Sequence, residues 1–192
     1  DNTIIMVISD NGASAEGGPT GTTNEAQFFN NAQEPLEESL AVIDEIAVAY
    51  GGRIDKHIGD AAMAVFGVPV AHSNDVERAA RAALDMHAAM DALSSETGAA
   101  MRLHIGIASG QVVASDTGSA SRQEYTVTGD SVNLAARLTD QAKAGETLLS
   151  DQVRRLLPEG FQLAGRGALV VKGIAEPVEL AAVSRPDGRE PT

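Results

Sequence analysis

Two short stretches hold side chains whose types and spacing could do chemistry. The first is IDKHIGDAAMAVF, Ile54 to Phe66. Lys56 and Asp60 stand four residues apart, and Gly59-Asp60 marks a tight turn between two strand-like halves. A carboxylate at a hairpin tip suits a metal ion, and an ammonium nearby suits a polar ring. The second stretch is YTVTGDSVNLAAR, Tyr125 to Arg137. Asn133 and Arg137 are spaced so that a helix puts them on one face. An amide and a guanidinium one turn apart can clamp a sugar ring and a phosphate, because the guanidinium fork matches phosphate oxygens. Each feature also has a plain structural reading: a solvated turn aspartate, an exposed strand lysine, a polar helix face. Asp130 reads most simply as a helix N-cap.

The elements that must hold these residues follow from periodicity and punctuation. Thr3 to Ser9, TIIMVIS, is an apolar run of strand length that ends at Asp10-Asn11-Gly12. A Gly-, Ser-, Thr- and Asn-rich stretch follows and reads as a long loop. Pro35 suits a helix first turn. Leu36, Leu40, Ile43, Ala47 and Tyr50 then recur at helical spacing until Gly51-Gly52 stops the helix. Beyond the hairpin, Asn74 and Glu77 have the spacing of a capping box. They open an Ala-rich helix whose expected core face is Val76, Ala80, Ala83, Leu84, His87 and Met90. Met101 to Ser109 alternates as a half-buried strand, and Gly110 is expected to turn it into a second strand, Gln111 to Ala114. SDTGSASRQE is a loop or extended arm, and Tyr125 to Thr128 is a short strand. A helix from Ser131, a strand at Thr147 to Leu149, a short helix capped by Ser150 and small strands from Phe161 to Val183 complete the chain. The tail from Arg185 is polar. The order predicts an α+β fold with a ferredoxin-like β-α-β-β-α-β core, a mostly antiparallel sheet with helices on one face.

Composition narrows the function. The chain has 192 residues, enough for one domain with a core of its own. With aromatics at 3% and no Trp, that core is aliphatic. The net charge of −13, with no Lys or Arg before Arg53, excludes general binding to a nucleic acid polymer. A nucleotide remains compatible, with a metal ion between the like charges. Without Cys there is no disulfide, thiolate metal site or Cys nucleophile. No apolar run approaches the ~20 residues of a membrane span, and no signal peptide is visible. A cytoplasmic location is the expectation. His57, His72, His87 and His104 show no metal-ligand spacing.

Taken together, the motifs are far more specific than any one of them. K-x-x-G-D-A-x-M-A-x-F-G, H-x-G-x-A-x-G and Y-T-V-x-G-D-x-V-N-x-A-A-R-L occur in this order, and V-K-G-I-A-E-P-V-E-L follows near the end. From about Ala41 to Val183 the chain resembles the class III nucleotidyl cyclases, the adenylyl and guanylyl cyclases. The resemblance implies conversion of a nucleoside triphosphate to a 3′,5′-cyclic nucleotide and pyrophosphate, for intracellular signalling. It implies a homodimer with composite active sites and a Mg²⁺ or Mn²⁺ cofactor. It matches Asp60 to the second of two metal-binding aspartates and Lys56 to the purine-reading lysine. Thr126 matches the base-contacting position, Asn133 the ribose-orienting residue and Arg137 the arginine that stabilises the transition state. Lys56 with Thr126 leans the substrate to ATP over GTP.

The chain departs from the family at its start. The strand ending F-x-D-I-x-G-F-T, whose Asp is the first metal ligand, is absent. Residues 1 to about 38 instead resemble a segment of type I arylsulfatases, in which the aspartate and asparagine at Asp10 and Asn11 bind calcium. The sulfatase catalytic C/S-x-P-x-R motif is missing, so sulfatase activity is not expected. The chain therefore reads as a chimera: an arylsulfatase-like segment over 1–38 that is not a complete domain, a cyclase domain over 39–184 and a polar tail over 185–192. In this reading Thr3 to Ser9 replaces the lost strand and Asp10 substitutes for the first metal aspartate. Two alternatives stand beside it. One is a catalytically impaired cyclase-like module that only dimerises or binds nucleotide. The other is a calcium-binding remnant resting on Asp10 and Asn11.

Overall fold

The computed structural model describes residues 3–10, 33–98, 100–117, 124–170 and 177–185. The stretch expected to loop after Asp10, with Asn11, lies outside the described residues, as do 171–176 and the tail from 186.

Strand β1 (Thr3–Asp10) leads to helix α1 (Gln33–Ala49), the hairpin β2 (Arg53–Ile58) and β3 (Ala61–Phe66), helix α2 (Asp75–Thr97) and strand β4 (Leu103–Gly110). This is the expected β-α-β-β-α-β core. Next come β5 (Val113–Thr117), β6 (Glu124–Thr128), α3 (Asp130–Gln141), β7 (Glu146–Ser150), α4 (Asp151–Leu156), β8 (Gln162–Leu169) and β9 (Val178–Ser184). Seven strands form one sheet in the order β2-β3-β1-β4-β7-β9-β8. Every neighbouring pair is antiparallel except β4 and β7, which run parallel.

The unbroken apolar character of TIIMVIS is explained by position. β1 pairs with β3 on one side and β4 on the other. Both of its faces are covered, so alternation with polar residues is not required. Ile4, Met6 and Ile8 face a core completed by Ile43 and Ala47 of α1 and by Ala79, Ala83, Met86 and Met90 of α2. Ile5 faces the opposite side, with Met63, Val65 and Ala108 and with Leu134, Ala135 and Leu138 of α3. The two core helices thus share one face, while α3, outside the six-element core, covers part of the other.

Three local expectations change. β4 does not form a hairpin with the segment after Gly110. β5 pairs with β6 in a separate two-stranded sheet, and its residues are Val113–Thr117 rather than Gln111 to Ala114. The reason is that both flanks of β4 are already taken by β1 and β7. Asn74 is the N-cap of α2 but makes no side-chain cap bond. The next residue instead anchors the preceding turn: the buried Asp75 carboxylate accepts a hydrogen bond from the His72 backbone N–H at 2.6 Å and pairs with Arg78. Ser150 caps α4 as expected, accepting from the Val153 N–H. On α2, Leu84 and His87 are only partly exposed rather than fully buried, and Ala79, Ala82 and Met86 take the deeper positions. Among the described residues no helix is long and apolar enough to cross a membrane.

Candidate active site

The β2–β3 hairpin turns at Gly59 and Asp60. Gly59 has φ 64°, a left-handed conformation that glycine adopts without strain. Asp60 is exposed in that turn. At the same end of the sheet, β1 finishes. Ser9 pairs with Ala61 on one side and His104 on the other, and Asp10 pairs with Leu103. In an antiparallel ladder, one step forward on β1 corresponds to one step back on β3. Asp10 and Asp60 each lie one residue beyond the Ser9–Ala61 pair that ends the β1–β3 ladder. The Asp10 side chain lies outside the described residues.

Lys56 sits on the outer strand of the sheet, with its side chain 36% exposed and its ammonium nitrogen 3.3 Å from an oxygen of Asp55. His57 reaches Asp44 of α1 at 2.9 Å, which ties the hairpin to that helix. Asp55, which sequence reasoning did not single out, connects the hairpin to β6. Its Oδ1 accepts a hydrogen bond from the Val127 backbone N–H at 3.2 Å. Thr126 precedes that residue on β6 and pairs through its backbone with Ser115. Its side chain lies outside the described residues. The hairpin and the β5–β6 arm, far apart in sequence, are thus joined by the Asp55–Val127 bond, next in sequence to Lys56 on one side and to Thr126 on the other.

Asn133 and Arg137 lie on α3. The apolar positions Leu134, Ala135 and Leu138 turn inward, which leaves Asn133 and Arg137 exposed one turn apart. Arg137 pairs with Asp140 at 4.0 Å, both side chains about two-thirds exposed (67% and 65%). Such a contact is screened by solvent and holds the guanidinium only loosely. Asp130 is the first residue of α3, not its cap. Gly129 occupies the cap position and no side chain caps the helix.

The H-x-G-x-A-x-G pattern of β4 explains how α3 comes so near the sheet. His104, Gly106, Ala108 and Gly110 alternate onto the α3 side. A Cβ at Gly106 would lie 2.2 Å from the Ala135 carbonyl oxygen, and one at Gly110 would lie 3.0 Å from the Ser131 Cβ. The Thr139 hydroxyl lies 3.0 Å from the Val7 carbonyl of β1 and 3.0 Å from the Ala135 carbonyl of its own helix. His104 completes the seam, its Nδ1 2.7 Å from the Ala142 carbonyl oxygen. The small side chains are there for close approach, and they fix the helix that carries Asn133 and Arg137.

On the opposite face, desolvation lowers the His87 pKa to about 4, with further lowering from His104 and Arg102. Its Nε2 lies 2.9 Å from the Thr147 hydroxyl. His87 lies on the core side of α2, remote in role from the exposed groups above.

Comparison with known proteins shows the family and the fold. The family profile described as the adenylate and guanylate cyclase catalytic domain matches residues 29–182. An adenylate cyclase of Mycobacterium tuberculosis (strain ATCC 25618 / H37Rv) is 35% identical over 138 residues, which covers 72% of this chain and 31% of that protein. The chain spans less than a third of the length of the curated relatives it matches here. The crystal structure of the adenylyl cyclase CyaB from P. aeruginosa superposes with a TM-score of 0.80 at 26% identity, covering 95% of this chain and 93% of that one. The catalytic core of a rhodopsin-guanylyl cyclase with converted specificity, in complex with ATPalphaS, gives 0.79 at 24% identity and covers 96% of each chain. The latter likeness speaks to the fold alone.

Proposed function

Because this chain belongs to the adenylate and guanylate cyclase catalytic domain family, we propose that it converts ATP, in preference to GTP, into the 3′,5′-cyclic nucleotide and pyrophosphate. The 3′-oxygen forms a bond to the α-phosphorus, and the bond from that phosphorus to the bridging oxygen of pyrophosphate breaks. The 3′-hydroxyl proton leaves to solvent or to a phosphate oxygen. Such a displacement asks for positioning and charge stabilisation more than for covalent help from the protein.

The chain's own residues divide that work. Lys56 and Thr126 read the base edge. Asn133 holds the ribose so that its 3′-oxygen lies in line. Arg137 faces the charge that develops on the phosphate oxygens. Asp60 and Asp10 supply hard oxygen donors of the kind Mg²⁺ or Mn²⁺ takes. What supports the fit is that both lie at one end of the sheet, each one residue beyond the Ser9–Ala61 pair. Bound there, such ions supply Lewis acidity that lowers the hydroxyl pKa and offsets phosphate charge.

The working unit in this reading is a homodimer. One protomer contributes Asp60 and Asp10, and its partner contributes Lys56, Thr126, Asn133 and Arg137. The observation that carries the proposal is the exposed pair on α3: a guanidinium and an amide one turn apart, solvent-facing and only weakly engaged with their own chain. The deciding experiment incubates purified chain with Mn²⁺ and either ATP or GTP, followed by chromatography for cyclic product. Cyclic AMP above cyclic GMP is expected. Absence of both leaves a non-catalytic cyclase-like module that dimerises or binds nucleotide.

A further inference from the structure

We infer that Asp55 is the positioning residue of base recognition, keeping Lys56 in register with the β6 backbone that carries Thr126. The inference rests on the cyclase reading above and extends it to a residue outside the expected reaction machinery.

The first observation is a break in register. Ile54 pairs with Ala64, but Lys56 pairs with Met63, so Asp55 is the extra residue of a β-bulge in β2. On a regular strand, neighbouring side chains leave opposite faces of the sheet. A bulge removes that alternation and re-aims a side chain. Here adjacent residues Asp55 and Lys56 bring carboxylate and ammonium to 3.3 Å.

The second observation is burial. The Asp55 side chain is only 3% exposed. A buried carboxylate is costly unless it is partnered. Oδ1 is satisfied by the Val127 N–H. Oδ2 has no properly directed hydrogen bond, although the Lys56 ammonium lies within ion-pair distance of it. The distance and the direction disagree, and both matter. Lys56 is held near Asp55 by charge, without a directional bond that would lock it, so its head can swing onto a purine edge.

The third observation is topological. β5 and β6 form their own sheet, separate from the seven-stranded one. The bond from Asp55 to Val127 ties the two directly, one residue from Thr126. A single carboxylate thus holds the lysine with one oxygen and the strand of the threonine with the other. This arrangement fits a device for keeping two halves of a base reader in register.

The test compares Asp55→Asn and Asp55→Ala with the unmodified full chain. Fluorescent methylanthraniloyl derivatives of ATP and GTP report binding without turnover, and steady-state assays report KM and kcat. Asn keeps an acceptor for Val127 and removes the charge near Lys56. Its melting temperature should stay close to that of the parent. Its affinity for the ATP derivative should fall about tenfold, the scale of one charge-assisted contact, and its preference over the GTP derivative should shrink comparably. KM should rise by more than kcat falls. The Ala variant should lose thermal stability as well. Unchanged affinity and preference in Asp55→Asn, or losses confined to thermal stability in both variants, would overturn the inference while leaving the cyclase reading intact. If the unmodified chain binds neither nucleotide, the cyclase site itself falls, and the role of Asp55 falls with it.

Discussion

Gly106 of β4 lies directly beneath Thr139 of α3: a Cβ at position 106 would stand 2.6 Å from the Thr139 backbone nitrogen. No side chain can be accommodated there unless the helix moves. Overpacking of this kind costs typically about 1–3 kcal/mol. The larger expected effect is on chemistry, because Asn133 and Arg137 ride on the same helix. Displacement of catalytic groups by about 1 Å can cost ~10²-fold in rate. Gly106→Ala should therefore lower turnover by at least about tenfold while the chain still melts cooperatively. Parallel thermal denaturation and cyclase assays check this, and unchanged turnover would show that the seam does not position the site.

Arg137→Ala should reduce turnover by roughly 10²–10³, the usual loss for a donor aimed at developing charge. Stability should change by no more than about 1 kcal/mol, since the exposed pair with Asp140 contributes little. A composite dimer adds a sharper expectation. Asp60→Ala and Arg137→Ala, each inactive alone, should recover activity when mixed, because one of the two sites in the mixed dimer is then intact. Failure of the mixture would favour a site built within one protomer.

Asp10→Asn should weaken metal binding, raising the Mn²⁺ concentration needed for half-maximal rate. Asn preserves backbone pairing and side-chain size, so the sheet should persist, as circular dichroism would show. Chelation of the metal should abolish turnover of the parent chain reversibly. A parent-like Mn²⁺ titration in Asp10→Asn would remove Asp10 from the metal site.

His87 sets a pH dependence that has no bearing on the active site. Its pKa is lowered from 6.5 to about 4 by burial first, then by His104 and Arg102. Between those values the unfolded chain binds a proton that the folded chain refuses. Stability is thus fully present above about pH 6.5 and is lost as pH falls toward 4, below which the loss levels off. The full difference is on the order of 3 kcal/mol. His87→Gln should be the less pH-sensitive protein across that window, measured by urea denaturation at several pH values. Identical slopes in both would show that other groups control the acid limb.

Much of the fold was legible because its signals are local. Leu40, Ile43 and Ala47 repeat at helical spacing, and the MAVF strand with its Gly59 turn declares a hairpin whatever its neighbours do. The candidate site residues stood out for a different reason: Lys56, Asp60, Asn133 and Arg137 fall within dense motifs. What stayed hidden depends on partners distant in sequence. The second strand expected after Gly110 joins β6 instead, because β1 and β7 already occupy both flanks of β4. Asp55 looked like an ordinary strand residue, since a bulge is a mismatch between two strands and leaves no mark on either one. Asn74 and Glu77 had the right spacing for a capping box, yet Asp75 became the anchor because Arg78 and the His72 N–H were within its reach.

The placement of β1 has a consequence for how this protein can fail. Thr3 pairs with Gly110 and Ile4 with Phe66, so the first strand closes contacts among the most distant in the chain. Contacts of that kind form late, after the loop-closure entropy has been met. Until then β3 and β4 each present an open row of backbone donors and acceptors, a template for pairing with another chain. A truncated form lacking Thr3 to Asp10 would carry two sticky edges where the intact sheet has a filled centre. It should aggregate in a concentration-dependent way, and an added peptide of that sequence should suppress the aggregation by strand complementation.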